Sequence, residues 1–324
     1  MAQSDLIIKL IRSAADSDQT AFRKVAEDLI SEETRKGHRI LAERMRKALN
    51  PSYNGNKGSQ SNGHGLKPQG ELFYEITPER ELGSLLLPPG VEEQIRELVE
   101  EQHRSELLHS YNLRARHRLL FAGPPGNGKT ALAEALAYEL MYPLIVIRYE
   151  SLIGSYLGET SGRLKKILEY ARTRRCVLFF DEFETLGKER GDTRETGEIK
   201  RIVSSLLLQT DLLPDYVVFV AASNHPELLD RAVWRRFQVR IELPLPTHRQ
   251  LCALIDAVSE RCETKLGYST ETIAKALRGA SYSEAEQFCL DIARRAALSN
   301  QSADARQITG RKLKQWRARL RPSG

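Results

Sequence analysis

The chain is sparing with cysteine and lacks any long apolar run. Its four cysteines, Cys176, Cys252, Cys262 and Cys289, are scattered through 324 residues with no C-x-x-C pair. That spacing argues against a disulfide framework or a thiolate metal site, and the thiols read as reduced, mostly buried groups. No stretch is long enough to span a bilayer, so a soluble chain without a membrane partner is expected. The first residues, Met1-Ala2-Gln3-Ser4-Asp5, show no basic segment followed by an apolar core, which speaks against a secretory signal and for a cytoplasmic protein. Acidic residues are missing from Arg311 onward, where six basic residues stand: Arg311, Lys312, Lys314, Arg317, Arg319 and Arg321. These six equal the formal net charge of +6, so the rest of the chain is close to neutral. The segment 311–324 reads as a basic tail. It is either a solvated helix end or a contact with nucleic acid or an acidic partner surface.

The strongest positive signal is Gly123-Pro124-Pro125-Gly126-Asn127-Gly128-Lys129-Thr130, which fits the phosphate-binding pattern G-x-x-x-x-G-K-S/T. The apolar run Leu119 to Ala122 precedes it, and a run of strong helix formers from Thr130 follows. Strand, glycine-rich loop and helix are the context in which backbone N–H groups and a helix N-terminus hold phosphate. Pro125, Gly126, Asn127 and Gly128 would line that loop. Lys129 would reach the β- and γ-phosphates of ATP, and the Thr130 hydroxyl would hold Mg²⁺.

Before the loop, apolar residues recur at helical spacing from Leu6 to Leu49, which predicts a module of two or three helices over 1–49. Its expected role is docking of substrates or adaptors. Residues 50–70 are rich in Gly, Asn, Ser, Lys and Gln, and predict a flexible linker. The ATPase domain is expected over 71–246, with one long amphipathic helix from Val91 to Tyr111. Further apolar strands are predicted at 144–147, 176–180, 217–222 and 239–241. Apolar strands alternating with helices imply an α/β fold with a parallel sheet covered on both faces. Chemistry then collects at the carboxyl ends of the strands, where Lys129, Asp181, Glu182 and Asn224 stand. Asp181 would orient the Mg²⁺ shell, Glu182 would polarise the attacking water as general base, and Asn224 would bond the γ-phosphate and that water.

From about Leu82 to Leu298 the sequence resembles the AAA family of ring-forming ATPases. The segments that carry the resemblance are ELLHSYNL, GPPGNGKT, SYLGETSGRLKKILEYAR, CVLFFDEFETLGKERG, VVFVAASNHPELLDRAVWRRFQVRIELPLP and ASYSEAEQFCLDIARRAAL. The resemblance implies a P-loop NTPase sheet of five parallel strands in the order 5-1-4-3-2. A small helical lid, taken here over 247–310, would follow. It implies homo-hexamers, with Asn224 as the sensor residue and Arg235 and Arg236 as fingers entering the neighbouring subunit's site. The arginine pair would have no local acid to pair with, and an incoming phosphate would supply one. Tyr111 and Leu113 fall on the adenine side. Tyr156, Leu157 and Gly158 match a pore loop that grips an extended polypeptide, and 187–197, with Lys188, Arg190 and Arg194, matches a second. Two departures bear on the site. Glu284 replaces a small residue where the lid meets nucleotide, and Asn112 stands where glycine is common, a position that asparagine tolerates. The layout is similar to single-domain protein remodelers, including bacterial ones that work beside a separate subtilisin-like protease. The expected function is ATP-driven threading of a protein substrate. The rival readings are a loader-like ATPase acting on nucleic acid and a non-threading scaffold.

Overall fold

The computed structural model describes residues 72–147, 157–186, 208–229, 231–299 and 305–319, with 19–35, 67–68 and the positions 6, 9–13, 41–42, 45–46, 49 and 206. Its seven strands are β1 (Lys67–Pro68), β2 (Phe73–Ile76), β3 (Arg118–Ala122), β4 (Leu144–Ile147), β5 (Cys176–Phe180), β6 (Val217–Ser223) and β7 (Val239–Glu242). They form one sheet in the order β1-β2-β4-β5-β6-β3-β7. The five strands β3 to β7 pair in parallel, and numbered among themselves they read 5-1-4-3-2. The sheet is longer than the expected five strands, because β2 adds antiparallel to β4 and β1 antiparallel to β2. Lys67 and Pro68, placed in the linker by composition, are thus part of the sheet edge.

Successive strand residues point to opposite faces, and both faces of the central strands are covered, which is why β4, β5 and β6 are apolar almost throughout, while β7 at the edge alternates buried and exposed residues. Leu120, Ile145, Leu178 and Phe219 join one core together with Leu164, Ile167 and Leu168 of helix α5 (Leu157–Arg172). Leu119, Phe121, Leu144 and Val146 join the other. There they meet Ile95 and Leu98 of α2 (Pro89–His103) and Leu132 and Leu136 of α4 (Lys129–Leu140). The long helix expected from Val91 to Tyr111 is two: α2 ends at Arg104 (φ −105°, ψ 26°), and α3 runs Ser105–Ser110. In the N-terminal module α1 spans Gln19–Arg35 and buries Ala26, Leu29 and Ile30.

After β7, preceded by the single turn α6 (Arg231–Trp234), come four helices: α7 (His248–Arg261), α8 (Thr270–Ala276), α9 (Tyr282–Leu298) and α10 (Ala305–Arg319). They share a separate core that includes Leu251, Ile255, Phe288, Ile292, Ile308 and Leu313. Thr247 with Gln250, and Ser281 with Glu284, form capping boxes at the starts of α7 and α9. Each such cap contributes about 1 kcal/mol. The segment expected as a tail from 311 is largely α10. Its Trp316 ring meets Phe288 edge-on at 6.2 Å, and Thr309 donates to Leu266 O at 2.6 Å. The helix therefore crosses the boundary drawn at 310. Arg311, Lys314 and Arg317 are exposed, while Lys312 pairs with Asp291 at 3.3 Å. No helix among the described residues is long and apolar enough to cross a membrane.

Candidate active site

The parallel register sets the carboxyl ends of three strands level. Ala122 of β3 pairs with Ser223 of β6, and Phe180 of β5 pairs with Ala221 of β6. The residues that follow these ends are therefore neighbours: the P-loop after Ala122, Asp181 and Glu182 after Phe180, Asn224 after Ser223. Hydrogen bonds tie them together. Gly123 N donates to Ser223 O at 3.1 Å, and Asn127 Nδ2 donates to Leu243 O at 3.3 Å, just past β7. Gly123 has φ 146°, and any Cβ there would run into the Leu243 carbonyl, so this close approach requires glycine.

Lys129 is buried, and its Nζ donates to Gly123 O at 2.7 Å and to Pro124 O at 3.0 Å. The loop carbonyls here accept the ammonium's hydrogen bonds, which phosphate oxygens would otherwise accept. Burial lowers the Lys129 pKa, while Asp181 and Glu184 act in the opposite sense. Thr130 Oγ1 donates to Asp181 Oδ2 at 3.2 Å, so a hydroxyl and a carboxylate from two strand ends converge. Hard oxygens of this kind suit Mg²⁺, and Thr130 and Asp181 are the pair that would hold it. When bound, the ion neutralises charge on the phosphate oxygens.

Glu182 is exposed and takes φ 49°, a left-handed conformation that costs a non-glycine residue about 1–3 kcal/mol. Its N–H donates to Asp181 Oδ1 at 2.9 Å. Glu184, two residues on, went unremarked in the sequence. It is 3% exposed, and its Oε1 accepts from Asn224 N at 3.0 Å.

The lid reaches the P-loop through the start of α9. Ser283 N donates to Gly126 O at 3.0 Å, and a Cβ on Gly126 (φ 75°) would lie 2.8 Å from Ser281 Oγ. Tyr282 Oη donates to Leu86 O at 2.8 Å. Glu284 folds back onto Ser281, accepting from its N at 2.8 Å and from its Oγ at 3.0 Å. The departure at this position thus serves as a helix cap.

Among the described residues, the other expected site residues make no hydrogen bond to these groups. Tyr111 and Leu113 are exposed (71% and 57%) beyond the end of α3, outside this hydrogen-bond network, and Asn112 between them takes φ 57°. Arg235 is exposed, and Arg236 pairs with Asp211, which also pairs with Arg118. The expectation that the arginine pair has no local acid is thereby corrected: Asp211 is remote in sequence but adjacent in space. Tyr156 and the segment 187–197 lie outside the described residues. Leu157 and Gly158 open α5.

The fold and the site define a P-loop nucleoside triphosphatase. Residues 119–245 match the family described as ATPase family associated with various cellular activities (AAA). The chain is 34% identical over 296 residues to an uncharacterized AAA family ATPase, y4kL, of Sinorhizobium fredii (strain NBRC 101917 / NGR234), an alignment covering 89% of this chain and 88% of that one. It is 33% identical over 191 residues to a putative 26S proteasome regulatory subunit homolog of Methanothermobacter marburgensis, covering 58% of this chain and 51% of the relative. It is also 32% identical over 206 residues to the peroxisomal ATPase PEX6 of Pichia angusta, covering 59% of this chain and 18% of that protein. The chain thus spans about half of the second relative and under a fifth of the third. It belongs to the AAA family, and its activity is ATP hydrolysis.

Proposed function

We propose that the chain assembles into a homo-hexameric ring, hydrolyses ATP at sites shared between neighbours, and draws a protein substrate through its centre. The observation that carries this reading is the position of Arg236. It shares Asp211 with Arg118, the first residue of β3, whereas the P-loop follows Ala122, the last. Four residue steps of about 3.3 Å put roughly 13 Å of strand between these two ends. Arg236 therefore lies at the edge of the sheet away from its own P-loop, and a cation placed there serves another subunit's phosphate. Its departure does not strand Asp211, since Arg118 remains paired with that carboxylate.

In this reading Lys129 binds the β- and γ-phosphates, Glu182 takes the proton of the attacking water, and Asn224 bonds the γ-phosphate and that water. Arg235 and Arg236 of the adjacent copy neutralise charge that develops on the transferred group. Tyr156, Leu157 and Gly158 grip the polypeptide. Similarity to a protein named as a proteasome regulatory subunit homolog supports a protein substrate. A subtilisin-like protease as downstream partner rests on the layout of the chain alone. The test is stimulation of hydrolysis by an unfolded protein such as casein. Wild-type rings should respond, and Tyr156→Ala rings should hydrolyse ATP at the basal rate without responding. Equal stimulation of both would exclude threading through Tyr156 and favour the scaffold reading.

One observation favours a second reading, action on nucleic acid: Arg311, Lys314 and Arg317 are all exposed on α10. Replacing these three by alanine leaves Leu313 and Trp316 in the lid core, as deletion of 311–324 would not. Salt-dependent DNA binding that is lost in the triple variant would support this reading.

A further inference from the structure

We propose that Glu184 is a positioning residue of the ATPase reaction, its buried carboxylate holding the Asn224 turn in register with Asp181 and Glu182. The inference rests on the reading of Asn224 as the residue that contacts the γ-phosphate. Glu184 belongs to the single 3₁₀ turn Phe183–Leu186 that follows the two acids. Phe183 fixes that turn. Its ring meets Phe180, Phe219 and Phe237 edge-on at 6.3, 6.5 and 6.0 Å, and Phe219 lies on β6, the strand that Asn224 follows. With Phe183 seated under the sheet end, Glu184 is buried against the next strand end, and its Oε1 accepts from Asn224 N. A carboxylate that follows the end of β5 thus bonds the backbone that follows the end of β6.

Stability does not account for a carboxylate at this position. Its second oxygen, Oε2, is buried and has no hydrogen-bond partner among the described residues. A buried, half-satisfied carboxylate costs several kcal/mol of desolvation, and an apolar side chain of similar volume would serve packing as well or better. Among the described residues, the one hydrogen bond its side chain makes goes to the residue proposed to contact the substrate. Its charge also acts on Lys129, across the same site. Displacement of Asn224 by about 1 Å is enough to cost on the order of 10²-fold in rate.

The experiment compares Glu184→Gln and Glu184→Met with wild type and with Asn224→Ala, measuring kcat and KM for ATP and the melting temperature. Glutamine keeps an acceptor for Asn224 N, and methionine fills the space without one. The expected result is a fall in kcat of roughly 10- to 100-fold for Glu184→Met at nearly unchanged KM, with melting at or above the wild-type temperature. Glu184→Gln should stay within about threefold of wild type. The double variant Asn224→Ala/Glu184→Met should be no slower than Asn224→Ala, because one residue acts through the other. Wild-type kcat in Glu184→Met beside an impaired Asn224→Ala would overturn the inference and leave the role of Asn224 intact. Glu184→Gln falling as far as Glu184→Met would overturn it in favour of a role for the charge. Full activity of Asn224→Ala would instead remove the reading on which the inference rests.

Discussion

Inactive Arg236→Ala protein and inactive Glu182→Gln protein should restore hydrolysis to each other when mixed. Arg236 is held at the amino end of β3 and the P-loop begins at its carboxyl end, so in the proposed ring Arg236 would complete a neighbour's site rather than its own. A productive site then needs an intact Glu182 on one subunit and an intact Arg236 on the next. In a randomly mixed head-to-tail ring at equal amounts, about one site in four meets both conditions. Loss of the base costs at least ~10² in rate and loss of a finger roughly 10³–10⁵. Recovery to about a quarter of wild-type activity would therefore stand some 25-fold above the better parent. The assay is phosphate release against mixing ratio, with subunit exchange verified by energy transfer between labelled copies, and the optimum should fall near equal amounts. Verified exchange with no recovery at any ratio would refute the reasoning, and Arg236 would then act within its own subunit or not at all.

Three further outcomes are expected. Glu182→Gln should bind ATP with near-normal affinity and hydrolyse it at least ~10²-fold more slowly, whereas Lys129→Ala should weaken nucleotide binding itself; near-normal turnover of Glu182→Gln would remove it as the base. Gly123→Ala should lower the melting temperature and abolish nucleotide binding, since its Cβ meets the Leu243 carbonyl at a backbone conformation that costs a further ~1–3 kcal/mol; a wild-type melting curve would contradict this. His117 is buried, and removal from water lowers its pKa, helped by Arg118 and Arg114 and opposed by the Ala115 carbonyl and Asp215. The folded state then binds fewer protons than the unfolded chain, so the stability from neutral His117 is present above about pH 6.5 and lost as the pH falls through the lower folded value. Denaturant midpoints measured from pH 7.5 to 5 should fall more steeply in wild type than in His117→Asn, and parallel curves would exclude His117.

The parallel core was legible because β4, β5 and β6 bury both faces and β3 nearly so, giving apolar runs; Lys129, Thr130, Asp181 and Asn224 follow from tracing those runs to their ends. β1 and β2 escaped this logic. They are two and four residues long at a sheet edge, and Lys67–Pro68 sits in a composition that otherwise signals a linker. Attention to charge at the carboxyl end of the chain hid Ile308, Leu313 and Trp316, whose helical spacing could have revealed a packed helix. Glu184 stands among charged residues after Asp181 and Glu182, and the aromatic Phe183 between acids is the sequence sign of alternation that marks it as inward-facing. Asp211 carried no local signal at all. Its bond to Arg236 spans 25 positions and exists only because β6, β3 and β7 lie side by side.

The start of α9 is joined to the large domain at two points, Ser283 to Gly126 and Tyr282 to Leu86. One point belongs to the loop that would hold phosphate, the other to the segment that leads into α2. A rigid body pinned at two points keeps a single freedom, rotation about the line between them. Apart from the short chain connection after β7, the lid is thus arranged as a lever with a defined axle. α10 packs on that lever through Trp316 and Lys312, so it must swing with it. Displacement grows with distance from the axle. A rotation about that axle would therefore carry α10 with the lid, and a probe on the exposed Arg317 would register events at the phosphate loop.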